Sequence, residues 1–236
     1  MWDGKIRLYD VRKKVIYGGL LKYLKEFADV RDYELIIEDN SVYGRPNATE
    51  LPDIDTFLKG LSLSANGERI TPRDYQLDAL SCTLSDRKAL LLSPTASGKS
   101  LIIYLAIRYF LEYHDQSILL IVPTTSLVEQ MYSDFADYST TDDWSVEENC
   151  HKIYGGKEKY NIKQRVTSIL EKCVEAGYRV GTTGTLDGSQ THQLVLEGLF
   201  GPVFKVTTTA KLIEQKSLAS LDIFVLLLKY SDEYCK

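Results

Sequence analysis

An α/β chain, a parallel sheet with helices on both faces preceded by a small α+β domain, is predicted by three observations. First, the apolar run Ala89-Leu90-Leu91-Leu92 leads into the small-residue loop Ser93-Pro94-Thr95-Ala96-Ser97-Gly98-Lys99-Ser100, and that loop into the helical pattern Leu101 to Ile107. Strand, Gly-Lys-Ser loop and helix in that order are the layout of a P-loop. Second, Ser117 to Val122 is continuous and β-rich, as a strand covered on both faces would be, and Pro123-Thr124-Thr125-Ser126 turns it into a helix bearing Leu127, Val128, Met131 and Phe135. Third, the connections between these elements are short, which is the alternation of a doubly wound sheet. The expected division is a small domain over residues 1–65 and a larger one over 66–236.

In chain order, Lys5-Ile6-Arg7-Leu8-Tyr9 alternates polar and apolar residues, and Val15-Ile16-Tyr17 can pair back on it through the turn at Asp10 to Lys14. Leu20, Leu21, Leu24 and Phe27 recur at helical spacing, and Tyr33 to Ile37 reads as another strand. Ile54, Phe57, Leu58 and Leu61 suggest one short helix. Ser64-Ala65-Asn66-Gly67 reads as a linker, and Thr71-Pro72 as the start of the helix that carries Arg73-Asp74-Tyr75-Gln76. Beyond the acidic stretch Asp137 to Glu148, His151 to Tyr154 suggests a brief strand. Asn161 caps an amphipathic helix that Gly177 ends, and Tyr178-Arg179-Val180 enters the run Gly181-Thr182-Thr183-Gly184-Thr185. Helices at Gln190 to Leu199 and near Ala210 to Glu214, then a strand at Ile223 to Leu228, complete the pattern.

Composition narrows the classes. The 236 residues, 44% of them apolar, suffice for one good-sized core and a smaller one. No apolar run is long enough to cross a membrane, and Met1-Trp2-Asp3-Gly4-Lys5 lacks the apolar stretch of a signal peptide, so a cytoplasmic protein without membrane contact is expected. Cys82, Cys150, Cys173 and Cys235 form no C-x-x-C pair and read as reduced structural thiols, and His114, His151 and His192 have no partner pattern. A net charge of −5 argues against broad attraction to nucleic acid while leaving room for a local basic face.

The loop carries the chemistry. Thr95, Ala96, Ser97, Gly98, Lys99 and Ser100 would wrap backbone N–H groups and a helix N-terminus around nucleotide phosphates, with Lys99 neutralising their charge and Ser100 holding Mg2+. The usual pattern opens with Gly, and here Ser93 stands in that place. A helix-borne Gln76 amide can donate to and accept from an adenine edge, with Tyr75 or Arg73 stacking on or positioning the base. Thr124, Thr125 and Gln130 lie at the end of a presumed parallel strand, where hydroxyls and a helix N-terminus can hold a nucleic-acid phosphate.

Three segments now stand in fixed order: Arg73-Asp74-Tyr75-Gln76, Ser93 to Ser100, and Pro123-Thr124-Thr125-Ser126-Leu127-Val128-Glu129-Gln130. This order resembles the adenine-reading motif, motif I and motif Ia of superfamily 2 helicases, whose motor domains are RecA-like P-loop sheets. Gly181-Thr182-Thr183-Gly184-Thr185 resembles motif III, which implies that Thr183 and Thr185 couple nucleotide state to the grip on DNA. Within the superfamily, Trp2-Asp3-Gly4-Lys5-Ile6-Arg7-Leu8, Ile121-Val122-Pro123-Thr124-Thr125, Tyr154-Gly155-Gly156 and Gly184-Thr185-Leu186-Asp187-Gly188 are similar to the UvsW-type phage recombination helicases. The resemblance covers nearly the whole chain. It implies an ATP- and Mg2+-dependent monomer in the host cytoplasm that translocates on DNA and remodels forks, recombination junctions or RNA–DNA hybrids. Apart from the resemblance, Tyr17, Tyr43 and Arg45 of the small domain are the candidates for DNA contact.

One part of that pattern is missing. ATP hydrolysis by this machinery needs an Asp-Glu pair at a strand end, motif II, to hold Mg2+ and orient the attacking water. The family places two strands between motif Ia and motif III, and this sequence has no such pair there, with an abrupt junction near Tyr160-Asn161-Ile162. Asp232-Glu233-Tyr234-Cys235 follows an apolar run but comes after motif III. The chain also stops short of the family's second motor domain, so little turnover is expected from it alone. Two other readings stay open: an ATP- and DNA-binding remnant without turnover, and another P-loop NTPase such as a small kinase.

Overall fold

A computed structural model of the chain describes residues 7–37, 53–114, 116–153, 169–170, 172–173, 176–186 and 188–219. Its centre is a three-stranded parallel sheet in the order β6 (Arg179–Thr183), β5 (Lys88–Leu92), β7 (Val203–Lys205). β5 is the middle strand, paired from Lys88↔Arg179 to Leu92↔Thr183 on one side and from Leu90↔Val203 to Leu92↔Lys205 on the other. Ala89, Leu90 and Leu91 are all buried, because a central parallel strand has both faces covered.

The period-2 alternation of β5 sorts its neighbours. Ala89 and Leu91 pack with Ala79 of α3 (Asp74–Asp86) and Ile102 of α4 (Lys99–Tyr113). Leu90 faces α7 (Gln190–Phe200): a side chain built on Gly181 would meet both Leu90 and the Phe200 ring at 2.9 to 3.0 Å. Gly181 is therefore a strand glycine set by close packing of α7. Gly201 ends α7 at φ 105, and its backbone approaches Lys88 so closely that no β-carbon fits. The resemblance predicted helices on both faces, and the sheet has them.

A second core lies on the α3/α4 side. Leu80, Leu84, Tyr104, Leu105 and Tyr109 meet Phe135 of α5 (Thr125–Tyr138), Val146 of α6 (Val146–Asn149), and Phe57 of α2 (Ile54–Lys59). Arg108 donates to both Asp142 and the Tyr104 hydroxyl at 2.6 Å and sits 4.9 Å from the Trp144 ring centroid, which fixes the acidic stretch after α5 onto α4. The linker expected at Ser64 to Gly67 is instead a tight hairpin of β3 (Ser64–Ala65) and β4 (Glu68–Arg69). Asn66 and Gly67 adopt φ 53 and 77, the conformation an Asn-Gly hairpin turn needs. Ser64 Oγ donates to the Asp137 carbonyl at 2.6 Å and the Asn66 amide to the Asp137 carboxylate, so turn residues that read as a tether are bonded to α5.

The N-terminal hairpin forms, but as the short pair β1 (Tyr9–Asp10) and β2 (Val15–Ile16), followed by a 3-10 turn at Gly18–Leu20 and helix α1 (Leu21–Val30). Tyr33 to Ile37 is not a strand: Tyr33, Leu35 and Ile36 are exposed and join no ladder, and the Tyr33 amide instead donates to the Ala28 carbonyl at 2.9 Å at the end of α1. Ser117 to Val122 is likewise not a strand. β6 is the last strand on its side of the sheet, and no described segment between Pro123 and Tyr178 forms a strand that could bridge to it. Residues 151–153 form no strand, and Lys152 Nζ is ion-paired with Glu129 at 2.8 Å. Helix α3 starts at Asp74 rather than Pro72, and a last short helix, α8 (Thr209–Glu214), follows β7. Tyr43 and Arg45, most of the helix expected from Asn161, and the run Ile223 to Glu233 lie outside the described residues.

Candidate nucleotide-binding site

The P-loop leaves the C-terminal end of β5 and enters α4 at Lys99, and the loop is held shut by its own side chains. Ser93 and Ser97, 1% and 0% exposed, share a hydroxyl–hydroxyl hydrogen bond, and Ser97 Oγ also contacts the Pro94 carbonyl at 2.7 Å. The departure from the usual opening Gly thus has a structural use, since the Ser93 hydroxyl staples the two ends of the turn. Ala96 (φ 64) and Gly98 (φ 75) are both left-handed, which curls the backbone into the concave shape that aims N–H groups at an anion. The first amides of α4, from Gly98 to Ser100, lie out of reach of the helix's own carbonyls.

Gln76 closes the loop from behind. Its Nε2 donates to the Ser97 carbonyl at 3.0 Å, and its Oε1 accepts from the Arg73 amide at 2.9 Å, so the same side chain caps α3 and latches the P-loop. This cap explains why the helix begins after Arg73. A primary amide has two N–H donors and two lone pairs; one of each is used here, on a side chain that is 4% exposed. A β-carbon on Gly98 would collide with Gln76 Nε2, so the glycine is required both by its φ and by that approach. Arg73 Nη1 donates to the Tyr75 hydroxyl at 2.8 Å, which places the two residues proposed to position the base side by side.

Lys99 Nζ donates to the Ser93 and Pro94 carbonyls at 3.0 and 2.9 Å, and burial holds its pKa below the usual lysine value. The ammonium is thus fixed over the loop with one N–H to spare. Ser100 Oγ hydrogen-bonds the Tyr138 hydroxyl at 2.9 Å, and burial raises the Tyr138 pKa, so the phenol stays protonated. Thr95 and Ala96 are exposed at the rim.

The donor set fits nucleotide phosphates: a lysine, a nest of amides and a helix N-terminus. For Mg2+ the loop could offer the Ser100 hydroxyl, and among the described residues no cluster of three His, Cys, Asp or Glu side chains could hold a metal ion. Asp232 and Glu233 lie outside them. When bound, the cation would offset phosphate charge; the residues described here supply the loop, the lysine and a single ligand for it.

The motif III segment lies directly beside the loop. The Ser93 amide donates to the Thr183 carbonyl at 2.9 Å, and Thr183 Oγ1 turns back to the Thr185 carbonyl at 2.8 Å. Residues 90 apart in sequence therefore share one hydrogen-bonded strip at the end of the sheet. The motif Ia residues take a different position. Thr124 caps α5 by accepting from the Leu127 amide at 3.2 Å, and Thr124, Thr125 and Gln130 are exposed. Fourteen residues of α5 separate that end from Tyr138, a length of about 20 Å. Tyr17 is half-buried against Gly198 of α7. Sequence reasoning missed two participants. Ser93 was visible as an oddity, and its spacing of four from Ser97 was the available signal. Tyr138 carried none, because its contact with Ser100 arises only when α5 packs on α4.

Comparisons with known proteins agree with this geometry. Residues 73–225 match the family model for DEAD/DEAH box helicases. The chain is 31% identical to the ATP-dependent DNA helicase UvsW of enterobacteria phage T4 over an alignment of 271 positions, covering 99% of this chain and 53% of that protein. It spans about half the length of the relative. Because 271 positions exceed the 236 residues available, at least 35 positions of the relative face gaps here. Two crystal structures of T4 UvsW superimpose, one with TM-score 0.69 and 29% identity covering 86% of this chain and 83% of that one, the other with TM-score 0.73 and 30% identity covering 89% and 49%. A Gln-latched P-loop at the end of a parallel sheet, with the motif III strand bonded to it, lies inside the matched region, and the chain belongs to the DEAD/DEAH box helicase family.

Proposed function

We propose that this chain is the nucleotide-binding half of an ATP-dependent DNA helicase or translocase that acts on branched DNA, including forks, recombination junctions and RNA–DNA hybrids, as a cytoplasmic monomer. The observation that carries the reading is the loop itself. Lys99 is fixed over it, Gln76 braces it, and Thr183 is bonded to its first residue. In this reading Thr95 to Ser100 bind the triphosphate, Arg73 and Tyr75 position the adenine, Ser100 contributes to Mg2+, Thr183 and Thr185 relay nucleotide state, and Thr124, Thr125 and Gln130 hold a DNA phosphate. An accessory domain and a motor domain remain our reading, but with the boundary moved from 65/66 to before α2, because Phe57 and Leu63 share one core with Tyr104 and Tyr109. No helix among the described residues is long and apolar enough to cross a membrane.

One observation favours a second reading, ATP and DNA binding with little turnover. The aligned relative has at least 35 positions that this chain lacks, and the sequence has no Asp-Glu pair between Thr124 and Thr182 to orient a hydrolytic water. Titration of a fluorescent ATP analogue against wild type and Lys99→Ala tests the shared part of both readings. Loss of a charge-assisted contact to phosphate should weaken binding by about ten- to a hundredfold, and equal affinity would remove the nucleotide site. Single-turnover hydrolysis with forked DNA then separates motor from remnant.

A further inference from the structure

We propose that the tip of the β1–β2 hairpin, Arg12-Lys13-Lys14, is a contact site for the sugar-phosphate backbone of DNA, carried at a fixed position on the motor domain by helix α7. The proposal rests on the DNA-remodelling reading above and adds a site to it. In a chain with 28 basic and 33 acidic residues, three consecutive cations stand at the end of a two-stranded ribbon, and all three are exposed. Asp10, two residues before the first of them, is turned into the backbone: its Oδ1 accepts from the Arg12 amide at 2.9 Å and the Lys13 amide at 3.0 Å. The carboxylate therefore shapes the turn, where the charge of Lys13 also acts on it, while all three cations stay exposed.

Lys14 has a φ of 55, a left-handed conformation that costs a side-chain-bearing residue about 1 kcal/mol and that Gly or Asn would adopt more easily. On either side, Tyr9, Val11 and Val15 are 46, 75 and 53% exposed, apolar surface that suits deoxyribose between phosphates. A two-stranded ribbon of this width can enter or straddle a DNA groove.

The base of the hairpin is locked to α7. Gly19 and the backbone of Glu197 and Gly198 approach so closely that no β-carbon fits on Gly19, and one on Gly198 would lie 2.9 Å from Tyr17 Cβ. Tyr23 donates its hydroxyl to Glu197 Oε2 at 2.6 Å, Gln193 Nε2 donates to Oε1 at 2.6 Å, and Glu197 is buried. Helix α7 starts at Gln190, close after Thr183 and Thr185. The hairpin thus keeps one address relative to the nucleotide loop.

The test measures forked-DNA binding across a salt series for wild type, Arg12→Ala/Lys13→Ala/Lys14→Ala, Lys14→Asn and Thr124→Ala/Thr125→Ala. Each phosphate contact contributes about 0.9 to the slope of log affinity against log salt, so the triple variant should lower the slope by about 2 to 3 and weaken binding tenfold or more, with ATP-analogue affinity unchanged. Lys14→Asn relieves the backbone strain, so it should fold at least as stably and still lose about one contact from the slope. A triple variant with the wild-type slope overturns the hairpin site, even if the Thr124/Thr125 variant weakens binding and the DNA reading survives. Wild type that fails to bind DNA at all overturns both.

Discussion

Two stretches of this chain carry nearly the same sequence chemistry and end in opposite states. Lys88 to Leu92 and Ser117 to Val122 are both short and apolar, and only the second carries β-branched residues (Ile118, Ile121, Val122), yet the first is the central strand, with Ala89, Leu90 and Leu91 at 0, 2 and 1% exposure, while Ile118, Leu119 and Leu120 stand 39, 61 and 39% exposed with no strand partner among the described residues. The difference is supply of neighbours. β5 has a strand on each side and helices α3, α4 and α7 over its faces. The second run would have to reach the β6 edge across a place that two strands fill in the helicase pattern, and the relative's alignment has at least 35 positions there or elsewhere that this chain lacks. A parallel strand is a non-local object: its propensity is realised only where another segment offers a ladder.

The largest expected effect comes from cutting into the satisfied strand. Leu91→Ala removes a fully buried side chain packed among Ala79, Ala89 and Ile102, and should cost about 2 to 5 kcal/mol in urea unfolding. A cost under about 1 kcal/mol would mean that β5 is no better packed than Ser117 to Val122, and the contrast would collapse. Gly98→Ala comes next, because it forces a β-carbon at φ 75 and into Gln76. A loss of about 1 to 3 kcal/mol together with loss of ATP-analogue affinity is expected; stability lost with affinity kept would separate the latch from the site.

Tyr23→Phe should be milder, since Tyr23 is itself 37% exposed although its acceptor Glu197 is buried. Loss of that hydrogen bond should cost about 1 kcal/mol near neutral pH. The bond to Glu197 raises the tyrosine pKa to about 12, so the folded state holds its proton after the unfolded chain has lost it. That stabilisation is complete below about pH 10 and fades as pH rises toward 12. Wild type and Tyr23→Phe should therefore differ in stability at pH 8 and converge at alkaline pH; parallel curves would count against the bond to α7.

How much of this was legible in the sequence follows the same division between local and non-local. The β5, loop and α4 unit was legible because strand, turn and helix signals lie within 26 consecutive residues, from Lys88 to Tyr113. Gln76 stood out in the sequence as a candidate base contact, but not as the cap and latch it is, since its contact with Ser97 needs α3 folded against the loop. Asn66-Gly67 signalled a turn correctly, and the reading as a linker failed because nothing in those residues announces that Asp137 waits to bind them. The Tyr23–Glu197 bond joins residues 174 apart and left no trace in any pattern. Tyr33 to Ile37 and Ser117 to Val122 were misread for one reason: apolar content says what a segment could pair with, not whether a partner exists.

The smallest expected effect sharpens the comparison most, because it asks for nearly nothing to happen. Leu119→Ser removes an apolar side chain from a residue 61% exposed, so little transfer free energy is at stake and no cavity forms. The expected change is within about 0.5 kcal/mol, with solubility the same or better, since Ile118, Leu119 and Leu120 form an exposed apolar run. Were the segment instead a paired, two-sided strand like β5, the same substitution would place a hydroxyl in a covered site and cost several times more. Amide exchange supplies the second readout: Leu90 and Leu91 should be among the slowest amides, and Leu119 and Leu120 among the fastest outside the turns. Slow exchange at Leu119 together with a large stability loss would mean that Ser117 to Val122 has found a ladder in solution, and the account of why it lacks one would have to be replaced.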